Sequence, residues 1–145
     1  MTNLLIVEDH PFFAIALLRV LAQRDDLNVV MVVDTAEKAL QVIQDFKLDL
    51  ILVDVSLPQM DGIELVGRLS QMYPNMPCLI ISGHISNLYL TRSLAAGARG
   101  YAIKDNAKGI IEGIDQVIRG EIYISEELQT STSCRSLQVS IQPKN

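Results

Sequence analysis

Short apolar runs alternate with longer segments of helical period along this chain. Leu4-Leu5-Ile6-Val7 reads as a buried strand, and the β-branched run Val29 to Val33 as a second. Leu50-Ile51-Leu52-Val53, Leu79-Ile80-Ile81 and Tyr101 to Ile103 read as a third, fourth and fifth. Between them the apolar residues recur at helical spacing. Phe13, Leu17, Val20 and Leu21 form one stripe between Pro11 and Arg24, and Pro11 suits a first helical turn, where its missing N–H is not needed. Asp34 with Glu37 resembles a capping pair for a second helix through Ala36, Ala39, Leu40 and Ile43. Pro58 to Gly62 is a turn signal, and Ile63, Val66 and Leu69 follow as a third helix. A fourth passes through Leu88, Leu90 and Leu94 and ends at Gly97. A fifth carries Ile110, Ile111, Ile114, Val117 and Ile118 and stops at Gly120.

Five strand–helix repeats predict an α/β architecture, a parallel sheet with helices on both faces. Its strands read as unbroken apolar runs because both faces are covered. Right-handed crossovers leave few topologies. The expected fold is a flavodoxin-like (βα)5 doubly wound sheet with strand order 2-1-3-4-5. In such a sheet, ligands bind beyond the carboxyl ends of the strands.

Composition narrows the function. The chain has 145 residues and a net charge of −5, with no basic stripe of the kind that reads nucleic acid. Leu4 to Val7 is too short for an export signal and ends in two acids, and no run approaches a membrane span, so a cytoplasmic protein without membrane contact is expected. Cys78 sits in an apolar run, far from Cys134, and reads as a small buried hydrophobe in a reducing compartment. Residues 126 to 145 are rich in Ser, Thr and Gln and read as a linker or tail, although Leu137, Val139 and Ile141 alternate as a short strand would.

The chemistry collects at the strand ends. Glu8 and Asp9 follow the first strand, Asp54 the third, Ser82 the fourth and Lys104 the fifth. Three carboxylates in one crevice repel each other unless a cation joins them. A set of oxygen donors without His or Cys favours a hard ion such as Mg2+. A lysine and a hydroxyl suit a phosphoryl group, whose transfer depends on positioning and charge neutralisation. A carboxylate can serve as nucleophile and form an aspartyl phosphate, and Asp54 is central to the set. His10, between the acids and Pro11, reads as structural rather than catalytic.

The order Glu8-Asp9, Asp54, Ser82, Tyr101, Lys104 resembles the response-regulator receiver domain of two-component systems. The strings IVEDHPFF, LILVDVSLPQMDGIEL, ISGH and GYAIKD strengthen the match and, with RGEIYISEEL, are similar to the NarL/FixJ branch in particular. The resemblance covers about residues 3 to 128, and implies a receiver domain at 1–124 followed by a flexible linker or tail at 125–145. It implies that Asp54 is the phosphoacceptor, taking its phosphoryl group from a histidine kinase or phosphotransfer protein. It further implies that Glu8, Asp9, Asp54 and the backbone carbonyl of Ser56 bind Mg2+. Lys104 and Ser82 would contact the phosphoryl oxygens, Tyr101 would swing inward as Ser82 moves, and Ser56 and His84 would tune phosphate lifetime. The implied domain catalyses only its own phosphoryl transfer and dephosphorylation, and a homodimer is a family expectation.

Two departures stand out. Glu8 replaces the first of the two aspartates common in the family, and Asp105 follows the lysine where many receivers have proline. Regulators of this branch usually carry a helix-turn-helix domain after the linker. Nothing in TSTSCRSLQVSIQPKN resembles one, so direct nucleic-acid binding is not inferred for this chain. Among rivals, an aspartate-nucleophile phosphatase would show a DxD pattern after the first strand, and a nucleotide-binding domain would show GxGxxG or GxxxxGK[ST]; none of these occurs. A non-phosphorylated interaction module would need a damaged site, and this set is complete.

Overall fold

A computed structural model describes residues 1–129 of the chain. The strands are β1 (Thr2–Val7), β2 (Leu27–Val33), β3 (Leu50–Asp54), β4 (Cys78–Ser82), β5 (Gly100–Ile103) and β6 (Tyr123–Ile124). The helices are α1 (Pro11–Leu21), α2 (Ala36–Val42), α3 (Gly62–Met72), α4 (Asn87–Ala96), α5 (Ala107–Ile118) and the short α6 (Glu126–Gln129). All strand pairings are parallel, in the order β2-β1-β3-β4-β5-β6. The expected flavodoxin-like order is therefore present, extended by one strand.

Alternate residues of each central strand feed two cores. Leu5, Val7, Ile51, Val53 and Ile80 face α2, α3 and α4, where Ala36, Ala39, Leu65, Val66, Leu69 and Leu90 meet them. Leu4, Ile6, Leu50, Leu52, Leu79 and Ile81 face α1 and α5, where Leu17, Leu21, Ile110, Ile114 and Val117 meet them. Burial on both faces is the physical reason these strands carry no polar alternation. Each fully buried Leu or Ile contributes about 1.5–3 kcal/mol from the area it removes from water.

The sixth strand lay outside the pattern. Two residues carry too little periodicity to register as a strand. Tyr123 and Ile124 become one by pairing with Gly100 and Tyr101 of β5. The chain then turns into α6, whose Leu128 is buried in the first core. The tail from residue 130 on, with Cys134 and the alternating Leu137, Val139 and Ile141, lies outside the described residues.

Some local readings differ in detail. The cap of α2 is Thr35, whose hydroxyl accepts the Lys38 N–H at 3.1 Å. Asp34 instead pairs with Lys38 at 2.9 Å, one helical turn on. Helix α1 ends at Leu21, the last residue of its apolar stripe and three residues before Arg24, which bonds Asp26 and Asp115. Ile118, assigned to the buried stripe of α5, is 41% exposed at its outer edge. Gly97 ends α4 at φ 114, a left-handed conformation that favours glycine.

Cys78 is buried, as its apolar run implied. Burial pushes its thiol up to about 12, so the nucleophilic thiolate is scarce. In a Cys134→Ser variant, Cys78 should resist a disulfide reagent such as DTNB at mildly alkaline pH and react fully once the chain is denatured. Rapid modification of the folded protein would contradict this burial.

Candidate functional site

The parallel sheet brings the carboxyl ends of β1, β3, β4 and β5 to one edge. Glu8 follows β1 directly, and its N–H still bonds Val33 O at 2.9 Å, so the strand's ladder sets its position. Asp54 is the last residue of β3 and Ser82 the last of β4. Lys104 follows β5, held by its own N–H on Ser82 O at 2.8 Å. Backbone pairing thus aims side chains that lie far apart in sequence at one place.

Glu8 and Asp54 are almost wholly buried, at 4% and 2% exposure. Lys104 Nζ lies 2.9 Å from Glu8 Oε1 and 3.1 Å from Asp54 Oδ2. Its ammonium also sits 4.7 Å above the centre of the Phe13 ring, a cation–π contact worth about 0.5–2 kcal/mol. In the sequence, Phe13 stands out only as a member of the α1 apolar stripe. The Ser56 N–H donates to Asp54 Oδ1 at 3.1 Å and fixes the carboxylate from the other side.

His10 occupies an unexpected place. Its Nδ1 lies 3.0 Å from Glu8 Oε2, 3.2 Å from Asp9 Oδ1 and 3.5 Å from Asp54 Oδ2. Its backbone N–H also donates to Glu8 Oε2, at 3.0 Å. The sequence signal for this was its position directly after the acid pair, at the N-cap of α1.

The charges shape one another. Burial, and then the neighbouring Glu8, push the Asp54 carboxyl above the usual carboxylate range, against the pull of the Ser56 N–H and Lys104. Burial acts on Glu8 in the same sense, but its contacts with Asp54, Lys104 and His10 outweigh it and leave Glu8 below its ordinary value. The Glu8 contact, followed by the Asp9 charge, raises His10. Three acids stand against one permanent cation. Asp9 Oδ1 is buried with no hydrogen-bond partner among the described residues. Donor atoms of Glu8, Asp9, His10 and Asp54 lie within 4.8 Å of one another, so these residues fit a divalent cation.

Ser82 and Tyr101 are also buried, and a single residue links them. Ser82 Oγ accepts the His84 N–H at 2.9 Å, and the Tyr101 hydroxyl donates to His84 O at 2.7 Å. Tyr101 therefore already points inward here. The exposed His84 ring meets Tyr89 edge to face, with ring centres 5.1 Å apart. Ser56, in the loop after β3, is exposed.

Residues 4–120 match the response regulator receiver domain. The chain belongs to that family. The receiver is 33% identical over 123 residues to the transcriptional regulatory protein DegU of Brevibacillus brevis, covering 84% of this chain and 52% of that one. It is 30% identical over 139 residues to the response regulator GacA of Pseudomonas aeruginosa, covering 95% and 65%. The chain thus spans about half to two-thirds of the length of the curated relatives it matches. Among solved structures, a LuxR-family two-component response regulator from Aurantimonas sp. SI85-9A1 superposes with a TM-score of 0.88 at 23% identity, over 96% of this chain and 99% of that one. The signal receiver domain of the putative response regulator NarL from Mycobacterium tuberculosis superposes at 0.77 with 26% identity, over 83% and 98%. The receiver is thus a domain of two-component response regulators, related to transcription regulators. No helix among its described residues is long and apolar enough to cross a membrane.

Proposed function

We propose that this receiver takes a phosphoryl group onto Asp54 from the phosphohistidine of a histidine kinase or phosphotransfer protein, and that the modification changes a protein-interaction surface. The observation that carries this reading is the buried Asp54 carboxylate, 3.1 Å from Lys104 Nζ and flanked by the acid pair. In the transfer, an Asp54 oxygen forms the new O–P bond while the P–N bond of the donor breaks and its electron pair returns to the donor's imidazole. Lys104 is placed to follow the charge from carboxylate to phosphoryl oxygens. Mg2+, held by Glu8, Asp9, Asp54 and the backbone carbonyl of Ser56, supplies further neutralisation of those oxygens when bound.

The switch runs through His84. The phosphoryl group adds about −1.5 to −2 of charge and three strong acceptors. A Ser82 hydroxyl drawn toward it gives up the His84 N–H, and the His84 carbonyl is the anchor of the Tyr101 hydroxyl. Both ends of one short segment then respond together, which alters the surface of α4, β5 and α5. Ile85 and Leu88 are exposed there, at 63% and 56%, and suit a second copy of the domain. Ser56 and His84 stand exposed beside the site, where they would tune how quickly water reaches the phosphate. The reactions are self-directed, in the cytoplasm, and serve a signal that controls transcription.

Incubation of the chain with Mg2+ and acetyl phosphate, followed by intact-mass measurement, tests this. One phosphoryl adduct is expected, absent in Asp54→Asn and absent with EDTA. An adduct that persists in Asp54→Asn, or steady turnover of varied phosphate esters, would overturn it.

A further inference from the structure

We infer that His10 is a nitrogen donor to the divalent cation of this site and biases it from Mg2+ toward first-row transition ions such as Mn2+ and Co2+. The inference rests on the reading above that Glu8, Asp9 and Asp54 hold a cation. Four features of the geometry carry it.

The first is spacing. His10 Nδ1 lies 3.0, 3.2 and 3.5 Å from one oxygen each of Glu8, Asp9 and Asp54. With metal–ligand bonds of about 2.1 Å, neighbouring donors sit about 3.0 Å apart in an octahedron and about 3.4 Å apart in a tetrahedron. The three separations are those of ligand atoms on one ion.

The second is restraint. His10 is the N-cap of α1, and Pro11 limits its backbone to the extended conformation it shows, φ −94 and ψ 107. Its N–H is already bonded to Glu8 Oε2. The imidazole therefore starts from a fixed root, and its reach into the cluster costs little additional ordering. Glu8, Asp9 and His10 offer three consecutive donors from the end of a single strand.

The third is the state of the oxygens. Asp9 Oδ1, the atom 3.2 Å from the ring nitrogen, is buried and accepts no hydrogen bond among the described residues. A cation shared with the imidazole would supply that oxygen with a partner. The fourth is access. The His10 side chain is 60% exposed, whereas those of Glu8 and Asp54 are 2% and 1% exposed, so the imidazole stands on the solvent side of the cluster, where an ion enters.

Ligand chemistry then sets the preference. Mg2+ favours oxygen and keeps several waters. A nitrogen-containing site gains affinity along the first-row series from Mn2+ through Co2+ toward copper, so the gain over Mg2+ is smallest for Mn2+ and larger for Co2+. A site of carboxylates alone would discriminate less among them.

The test is metal binding rather than phosphorylation. Calorimetric titration of the full chain with MgCl2, MnCl2 and CoCl2 is compared between the wild type and His10→Phe. Loss of the ligand is expected to weaken Co2+ and Mn2+ by about tenfold or more, while Mg2+ changes far less. Pulsed EPR of the Mn2+-loaded wild type should show a directly bound imidazole 14N, replaced by 15N coupling in labelled protein and lost in His10→Phe. Mg2+ binding by His10→Phe shows that the variant is folded, and the wild-type spectrum needs no variant at all. Equal weakening of all three ions, or a Mn2+ spectrum without nitrogen coupling, would overturn the role of His10 while leaving the cation site standing. Failure of every ion to bind the wild type would overturn both readings.

Discussion

Replacement of Lys104 by methionine is expected to destabilise the metal-free protein by about 3–5 kcal/mol near neutral pH, because it strands buried carboxylates without their partner. Lys104 Nζ is within 3.1 Å of both Glu8 and Asp54, whose side chains are only 2% and 1% exposed. Methionine keeps the apolar stem and removes the charge, so lost packing is a small part of the effect. The midpoint of thermal unfolding should fall by about 10 °C or more. The loss depends on pH in a defined sense. The folded Asp54 carboxyl already titrates above its ordinary 3.8, so its ionised form is penalised in the folded state. A penalty of this sign is full above the folded value, declines as pH falls through it, and is gone below the unfolded value. Lys104→Met should therefore recover toward the wild type in mild acid, and Asp54→Asn introduced beside it should recover stability without acid. A cation binding the folded state at a hundred times its Kd returns about 2.7 kcal/mol. Thermal unfolding of both variants with and without MgCl2 reads all of these. A Lys104→Met protein as stable as the wild type near neutral pH would show that the carboxylates do not depend on the lysine.

Gly62→Ala should disable the site from behind. A Cβ at Gly62 would lie 2.1 Å from the carbonyl oxygen of Asp54 and 3.0 Å from Val53 Cγ1. The first of these is backbone and cannot rotate away. Gly62 opens α3, and its N–H bonds Val55 O at 3.0 Å, so the helix docks directly on the strand end that carries Asp54. Alanine forces the two apart. Overpacking of this kind costs about 3 kcal/mol, and a displacement near 1 Å at a reacting group can slow its chemistry about a hundredfold. Denaturant unfolding and the rate of adduct formation with acetyl phosphate measure the two effects. Gly67→Ala is the control in the same helix, since its Cβ would meet only Ala96 Cβ at 4.0 Å. There alanine should be neutral or stabilise by up to about 1 kcal/mol. Equal behaviour of the two variants would show that the contact at Asp54 is immaterial.

Much of this protein is readable along the chain. The runs Leu4–Val7, Leu50–Val53 and Leu79–Ile81 announce strands because both of their faces are buried, and burial on both faces leaves no polar position to confuse the pattern. The acids, serine and lysine that end those strands are equally visible. Parallel pairing obliges successive strand ends to meet at one edge, so Glu8, Asp54 and Lys104 needed no coordinates to be grouped. The register of the ladder then makes the grouping a contact.

The remainder was decided in three dimensions. Tyr123 and Ile124 are a strand only because β5 has an open edge beside them. Thr35 caps α2 instead of Asp34 because the extended backbone at Thr35 aims its hydroxyl at the Lys38 N–H. Phe13 lies beneath Lys104, and Gly62 against the Asp54 carbonyl, through the docking of α1 and α3 onto the sheet. His10 enters the carboxylate cluster although nothing in its local period distinguishes it from a capping residue. Periodicity records which side of an element is buried, since that depends on the element alone. Which atoms touch across elements depends on helix docking and strand register to a fraction of an ångström, and residues far apart in sequence acquire that relation only when the whole sheet is assembled.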